Sequence, residues 1–106
     1  MIYQITGSGT VSVDLSAIEN RTEQCVTFTF TPTATTTLNF VPDGLPGQIY
    51  VICFVTSGTT SYTTTFGSNA KSTATLASGT TDAKVFTVTF LSVGSGIVEM
   101  CRTAAQ

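Results

Sequence analysis

Apolar and polar residues alternate with a period of two along most of this chain, and that period belongs to half-buried β-strands. The clearest case is Cys25 to Thr31, CVTFTFT, where Val26, Phe28 and Phe30 share one face and Cys25, Thr27, Thr29 and Thr31 the other. Lys84 to Leu91, KVFTVTFL, repeats the style, with Phe86, Val88 and Phe90 inward and Thr87 and Thr89 outward. Shorter strands are expected at Met1 to Ile5, Thr10 to Leu15, around Leu38 and Phe40, at Tyr62 to Phe66, Thr73 to Leu76 and Ile97 to Arg102. One segment breaks the alternation. Every residue from Ile49 to Val55, IYVICFV, is apolar, and the types suit a pleated strand. Such a run reads as a strand buried on both faces, with Ile49, Val51, Cys53 and Val55 pointing one way and Tyr50, Ile52 and Phe54 the other. In a small domain the second cover is expected to come from another layer, which another subunit can supply.

Turn chemistry separates these runs. Pro42-Asp43-Gly44 and Pro46-Gly47 are consecutive turn signatures that deliver the chain into the central strand, and Pro32 ends the Cys25 strand or sets it at a sheet edge. Ser57 to Thr60 reads as a hairpin turn, Ser78 to Asp82 and Val93 to Gly96 as further turns, and Ser16 to Gln24 as a polar loop or one helical turn. Short strands at this spacing predict an all-β chain: one domain over residues 1–106, an antiparallel, jelly-roll-like β-sandwich of about eight short strands.

Composition sharpens the picture. Thr makes up about a fifth of the chain, and only 9% of its residues are charged, against roughly 25% in ordinary soluble domains. A surface of Thr, Ser and Gly suits a protein whose faces are taken up by other subunits; a lone monomer would gain solubility from charge. The net charge is −2, and Arg21, Lys71, Lys84 and Arg102 are scattered, so no basic patch is expected to follow a nucleic-acid backbone. No apolar run approaches the ~20 residues that span a bilayer. The N-terminus lacks the pattern of a signal peptide, which suggests a whole gene product made in a cytosol.

Candidate chemistry is thin. The chain has no His, and its three cysteines, Cys25, Cys53 and Cys101, fall in no metal-binding spacing; they read as reduced core thiols. Nothing pairs two carboxylates at an acid/base separation, and Asp43 and Asp82 read as turn residues. No enzyme activity, cofactor or metal is expected. Glu99 and Arg102 stand out on the last strand. Three residues apart on a regular strand, they face opposite ways, so Glu99 is expected either to meet Lys84 or a neighbouring subunit's Arg102, or to lie in solvent at an edge.

Leu38-Asn39-Phe40, the Pro-Gly turn, Gln48 to Ile52, Ser57-Gly58-Thr59-Thr60, Thr65-Phe66-Gly67, Val85-Phe86, Phe90, Ser92 to Gly96, Glu99 and Arg102-Thr103 together resemble small bacteriophage virion β-modules. The likeness covers Leu38 to Thr103; Val93 and Ile97 stand where related endings carry Asp and Trp. Such modules occur in capsid decoration (cement) proteins, head fibres and tail-fibre tips, and are typically jelly-roll-like trimers. The resemblance implies a non-enzymatic structural protein, made in the host cytoplasm and carried on the virion, that stabilises the shell as a homotrimer against the major capsid or another virion protein. Ile49, Tyr50, Val51, Ile52 and Phe54 are the expected core and subunit contacts, with Glu99 and Arg102 as inter-subunit polar contacts. The alternative is a receptor- or glycan-binding module of a fibre, with Tyr3 or Tyr62 as the ring platform.

Overall fold

The structure, a computed structural model, describes residues 2–14, 25–41, 47–68, 70–72 and 75–103. Ten strands form within them, and among the described residues there is no helix: β1 (Ile2–Ile5), β2 (Gly9–Asp14), β3 (Cys25–Phe30), β4 (Thr36–Val41), β5 (Ile49–Val55), β6 (Thr63–Phe66), β7 (Ala70–Lys71), β8 (Leu76–Ala77), β9 (Val85–Ser92) and β10 (Ile97–Arg102). The polar stretch Ser16 to Gln24 and the Pro42 to Pro46 turns lie outside the described residues.

The strands build two sheets, a large one in the order β1-β3-β5-β9-β10-β7 and a small one in the order β2-β4-β6-β8. From β1 to β8 the chain changes sheet at every step. Through β6, each strand meets a partner two elements along, running the same way: Ile2 lies beside Thr27 and Cys25 beside Ile49 in the large sheet, Gly9 beside Thr36 and Thr36 beside Thr64 in the small one. Parallel neighbours need a long crossover, usually a helix. Here a strand of the opposite sheet serves instead, so the first six strands wind as a two-layered coil.

Antiparallel pairing appears late in the chain, where β9 joins β5, β10 joins β9 and β8 joins β6. The expected antiparallel jelly-roll is thus corrected: the sheets are mixed, and parallel pairs join β1, β3 and β5, also β2, β4 and β6, and β7 to β10. Ser57 to Thr60 is likewise no hairpin turn, because β5 and β6 belong to different sheets. Alternation fixes which face a residue occupies but carries no information about which strand lies alongside.

The inner faces meet in one core. Phe28, Phe30, Tyr50, Ile52, Phe54, Phe86, Val88 and Phe90 come from the large sheet, and Val13, Leu38, Phe40, Phe66 and Leu76 from the small one. Phe90 ties the layers together, with its ring 5.8 Å from Phe40 and 5.1 Å edge-on from Phe66. Phe54 stacks on Phe86 at 5.0 Å and receives Phe30 edge-on at 5.8 Å. The Tyr50 hydroxyl, fully enclosed, donates to Gln48 Oε1 at 2.6 Å, so the polar tip of the largest core side chain is satisfied.

Thr64 points into this core with no exposure, and among the described residues its hydroxyl has no hydrogen-bond partner. Thr64→Val keeps the shape and removes a buried polar group, so it should leave stability unchanged or raise it by about 1 kcal/mol; a denaturant midpoint below that of the parent would contradict this. Gly67 N–H donates to the Leu38 carbonyl at 2.7 Å, which presses its backbone against β4. A Cβ there would collide with the Asn39 side chain and lie 3.2 Å from Asn39 Cα. Gly67→Ala should therefore destabilise by about 1–3 kcal/mol in urea unfolding.

Candidate functional site

The outward face of the large sheet is the surface that the sequence singles out. In register across β3, β5, β9 and β10 run Thr27, Val51, Thr89 and Cys101; beside them run Cys25, Ile49, Leu91 and Val98. Thr29, Cys53 and Thr87 form the next row, and Val55 with Val85 the last. All of these are half-buried or exposed. From β3 to β10 the face carries no charged side chain; the first charge by register is Lys71 on β7 at the far edge, its ammonium 3.0 Å from the Ser68 carbonyl.

The central strand divides as its sequence suggests. Tyr50, Ile52 and Phe54 are fully buried in the core, while Ile49, Val51, Cys53 and Val55 are half-buried on the outer face, in the middle of the sheet. The cysteines depart from expectation. None is a core thiol: Cys25 and Cys101 are exposed, Cys53 is half-buried, and by register all three belong to the outer face. Alternation by itself sets Cys25 with Thr27 and Thr29 and Cys53 opposite Tyr50 and Ile52; the core expectation came from residue type, cysteine being commonly buried.

Glu99 and Arg102 are also corrected. They pair with each other, Arg102 Nε donating to Glu99 Oε2 at 2.8 Å and Arg102 Nη2 to Glu99 Oε1 at 2.7 Å, in the two-pronged geometry that guanidinium and carboxylate favour. The cause is a β-bulge. Glu99 pairs with Phe90, but Cys101, not Met100, pairs with Thr89, so Met100 is the extra residue and every later side chain changes face. Arg102 is thereby brought to the inner side with Glu99, opposite Val88. The Glu99 side chain keeps 4% of its exposure and that of Arg102 28%. The hydrogen bond to Glu99 raises the Arg102 pKa above its ordinary value; burial opposes this, and the carboxylate's charge adds to the rise.

At one end of the domain two loops interlock. Ser57-Gly58-Thr59-Thr60-Ser61 leaves β5, and Ser78-Gly79-Thr80-Thr81-Asp82 approaches β9. The Gly58 N–H donates to Asp82 Oδ1 at 2.7 Å, and the Gly79 N–H donates to Ser61 Oγ at 3.1 Å, so the fifth residue of each loop caps the glycine of the other. Both glycines hold positive φ, 76° and 81°, which side chains disfavour. Buried Thr56 braces the second loop: its hydroxyl donates to the Thr81 carbonyl at 2.7 Å and accepts from the Lys84 N–H at 2.8 Å. The doubled Ser-Gly-Thr-Thr was the available signal for this pairing; each copy read alone is an ordinary turn. Asp82 thus has the structural role expected of it. Tyr62, the candidate ring platform, is half-buried beside these loops, its N–H donating to Ser78 Oγ.

One cleft, about 240 Å³, opens between β1 and β2 over Ile5, Val13 and Phe28; another, about 210 Å³, lies against Leu76, Phe86 and Thr103. Among the described residues neither is lined by an ionisable side chain. Among the described residues no group of three or more His, Cys, Asp or Glu is placed to hold a metal ion, and no helix is long and apolar enough to cross a membrane.

The ion pair gives a direct test. Arg102→Ala strands an almost fully buried carboxylate and should cost about 2–3 kcal/mol in urea unfolding, below the usual range for a buried pair because Arg102 is partly solvated. Glu99→Leu combined with Arg102→Met removes both charges and should cost less than the single change. A double variant less stable than Arg102→Ala would show that the pair itself holds the strand end. No protein-family model matches this chain, and no curated protein matches it significantly, so its function has to be argued from the surface just described.

Proposed function

We propose that this chain is a non-enzymatic structural protein of a bacteriophage particle, a capsid decoration subunit that assembles as a homotrimer through the outer face of its large sheet. The observation that carries the reading is the makeup of that face: four neighbouring strands with apolar side chains at the centre, Thr around them and no charge. Ordinary surfaces keep charge for solubility, and contiguous apolar patches on soluble monomers are small. The occupant that suits a neutral face best is another neutral face, and a second copy of this chain brings one without like-charge repulsion or stranded ions. The sparse charge of the whole chain, 9% of its residues, agrees with this, as does the resemblance of Leu38 to Thr103 to virion β-modules.

In this reading Tyr50, Ile52 and Phe54 hold each subunit together while Ile49 and Val51 join it to the next. The shell gains stability because each trimer adds buried area between capsid subunits, apolar area being worth ~25 cal/mol per Å² before association costs. The subunit is made in the host cytoplasm and ends on the virion.

Light scattering on the purified chain, from tens of micromolar downward, should give three times the 11.1 kDa chain mass. Val51→Asp places a charge in the middle of the contact and should yield a folded monomer, its circular dichroism unchanged. A parent protein that stays monomeric across this range would overturn the trimer. Co-sedimentation with capsids of the encoding phage, lost in Val51→Asp, tests the decoration role separately.

A further inference from the structure

The makeup of the outer face is uneven, and the unevenness specifies how copies of it can meet. In the middle of the sheet β5 turns out Ile49, Val51, Cys53 and Val55, an unbroken apolar column. At the levels of Val51 and Cys53 the register sets only Thr on either side, Thr27 and Thr29 on β3 and Thr89 and Thr87 on β9. All of these side chains are half-buried. Val85 and Val98, toward the two ends, keep 38% and 37% of their surface, so solvent reaches the face at both.

Two faces laid flat on each other bury their full width, and apolar residues gain most by spreading across it. Three faces turned toward a common axis approach closely only along their midlines. A narrow apolar column flanked by hydroxyls suits the second arrangement. Rotation about an axis that runs along β5 keeps every residue at its own level. It brings the β3 flank of one copy to the β9 flank of the next, an unlike pair of surfaces of the kind that closes a ring. The register then sets Thr27 against Thr89 beside Val51, and Thr29 against Thr87 beside Cys53. Facing hydroxyls can bond to each other, since each both donates and accepts. Thr87 retains that capacity although its hydroxyl already lies 3.3 Å from that of Thr103.

We infer that three copies stand side by side, pointing the same way, with their β5 strands around a common three-fold axis. Ile49, Val51, Cys53 and Val55 then each form a layer of three like side chains. The inference rests on the assembly reading above and goes further, because it fixes the axis, the direction of the copies and the residue at each level. Cys53 is its native reporter. Within one chain Cys53 has no thiol in reach: Cys101 lies beyond β9 and two residues off level, and Cys25 is four residues from the Thr29 that pairs with Cys53. A disulfide needs Cα atoms within about 7 Å.

Oxidative cross-linking tests it. In a Cys25→Ser, Cys101→Ser background, the thiol oxidant diamide should join Cys53 to Cys53 of another copy. One disulfide uses two of the three thiols in a layer, so a third of the chains should stay uncross-linked. With Cys53→Ser added, Thr27→Cys together with Thr89→Cys should link each copy to both neighbours and give covalent trimers. Within one chain these two positions are two strand spacings apart, about 10 Å, too far to pair. Val51→Asp should abolish both products. Covalent trimers from the flank pair uphold the axis whether or not the Cys53 layer closes into a disulfide. If the parent is a trimer and the flank pair yields none, this inference fails while the assembly reading stands. Complete conversion of Cys53 to covalent dimers would also overturn it, because two faces would then meet about a two-fold axis. If the parent itself is monomeric, the assembly reading fails first.

Discussion

The fold depends on keeping the inner face of β5 dry. Tyr50, Ile52 and Phe54 alternate with outward residues, so they reach the core only if β5 lies inside a sheet and a second sheet covers it. β3 and β9 provide the first condition, one parallel and one antiparallel, and both bring rings to the same layer: Phe28 and Phe30 from β3, Phe86 and Phe90 from β9. The small sheet provides the second through Phe40 and Phe66, which meet at Phe90. Once this layer is closed, the opposite side chains of β5 have no choice of position. Val51 and its row must face outward, and the chemistry of the outer face follows from the burial of the inner one.

A single inserted residue then decides the electrical character of that face. On a regular strand Arg102 would project outward beside Thr87 and Thr89. The bulge at Met100 reverses the alternation, sends Cys101 out in its place and pairs Arg102 with Glu99 on the inner side. A buried carboxylate without a partner would be costly, and a cation on the outer face would resist contact with a like surface. One backbone irregularity removes both problems.

The strands and their inward faces were legible because period-two alternation is a local signal: CVTFTFT, IYVICFV and KVFTVTFL each place their core residues without reference to the rest of the chain. Pairing is not local. Nothing in CVTFTFT says whether its neighbour arrives antiparallel through a turn or parallel after a visit to the other sheet, and the Gly-containing turn after β5 looks the same for both. The bulge was hidden for a related reason. Glu99-Met100-Cys101-Arg102 has no Gly or Pro to mark an irregularity, so a strict count of two put Arg102 on the wrong side and Cys101 in the core. The interlocked loops did leave a trace, in a repeated tetrapeptide whose meaning emerges only when both copies are set side by side.

The coiled order of the first six strands has a kinetic consequence. In a meander each strand can find its partner as soon as the turn between them forms. Here β3 must wait for β5, and β4 for β6, while an entire strand of the opposite layer is laid down between them. β5 then stays uncovered along one edge until β9 arrives from still further along the chain. Loop closure on this scale has to occur before contacts reward it, which places the chain among slow folders, on the millisecond-to-second side of small domains. During synthesis the apolar run of β5 emerges well before the strand that shields it, so the segment at the centre of the finished molecule is also the one that nascent chains have most need to keep apart.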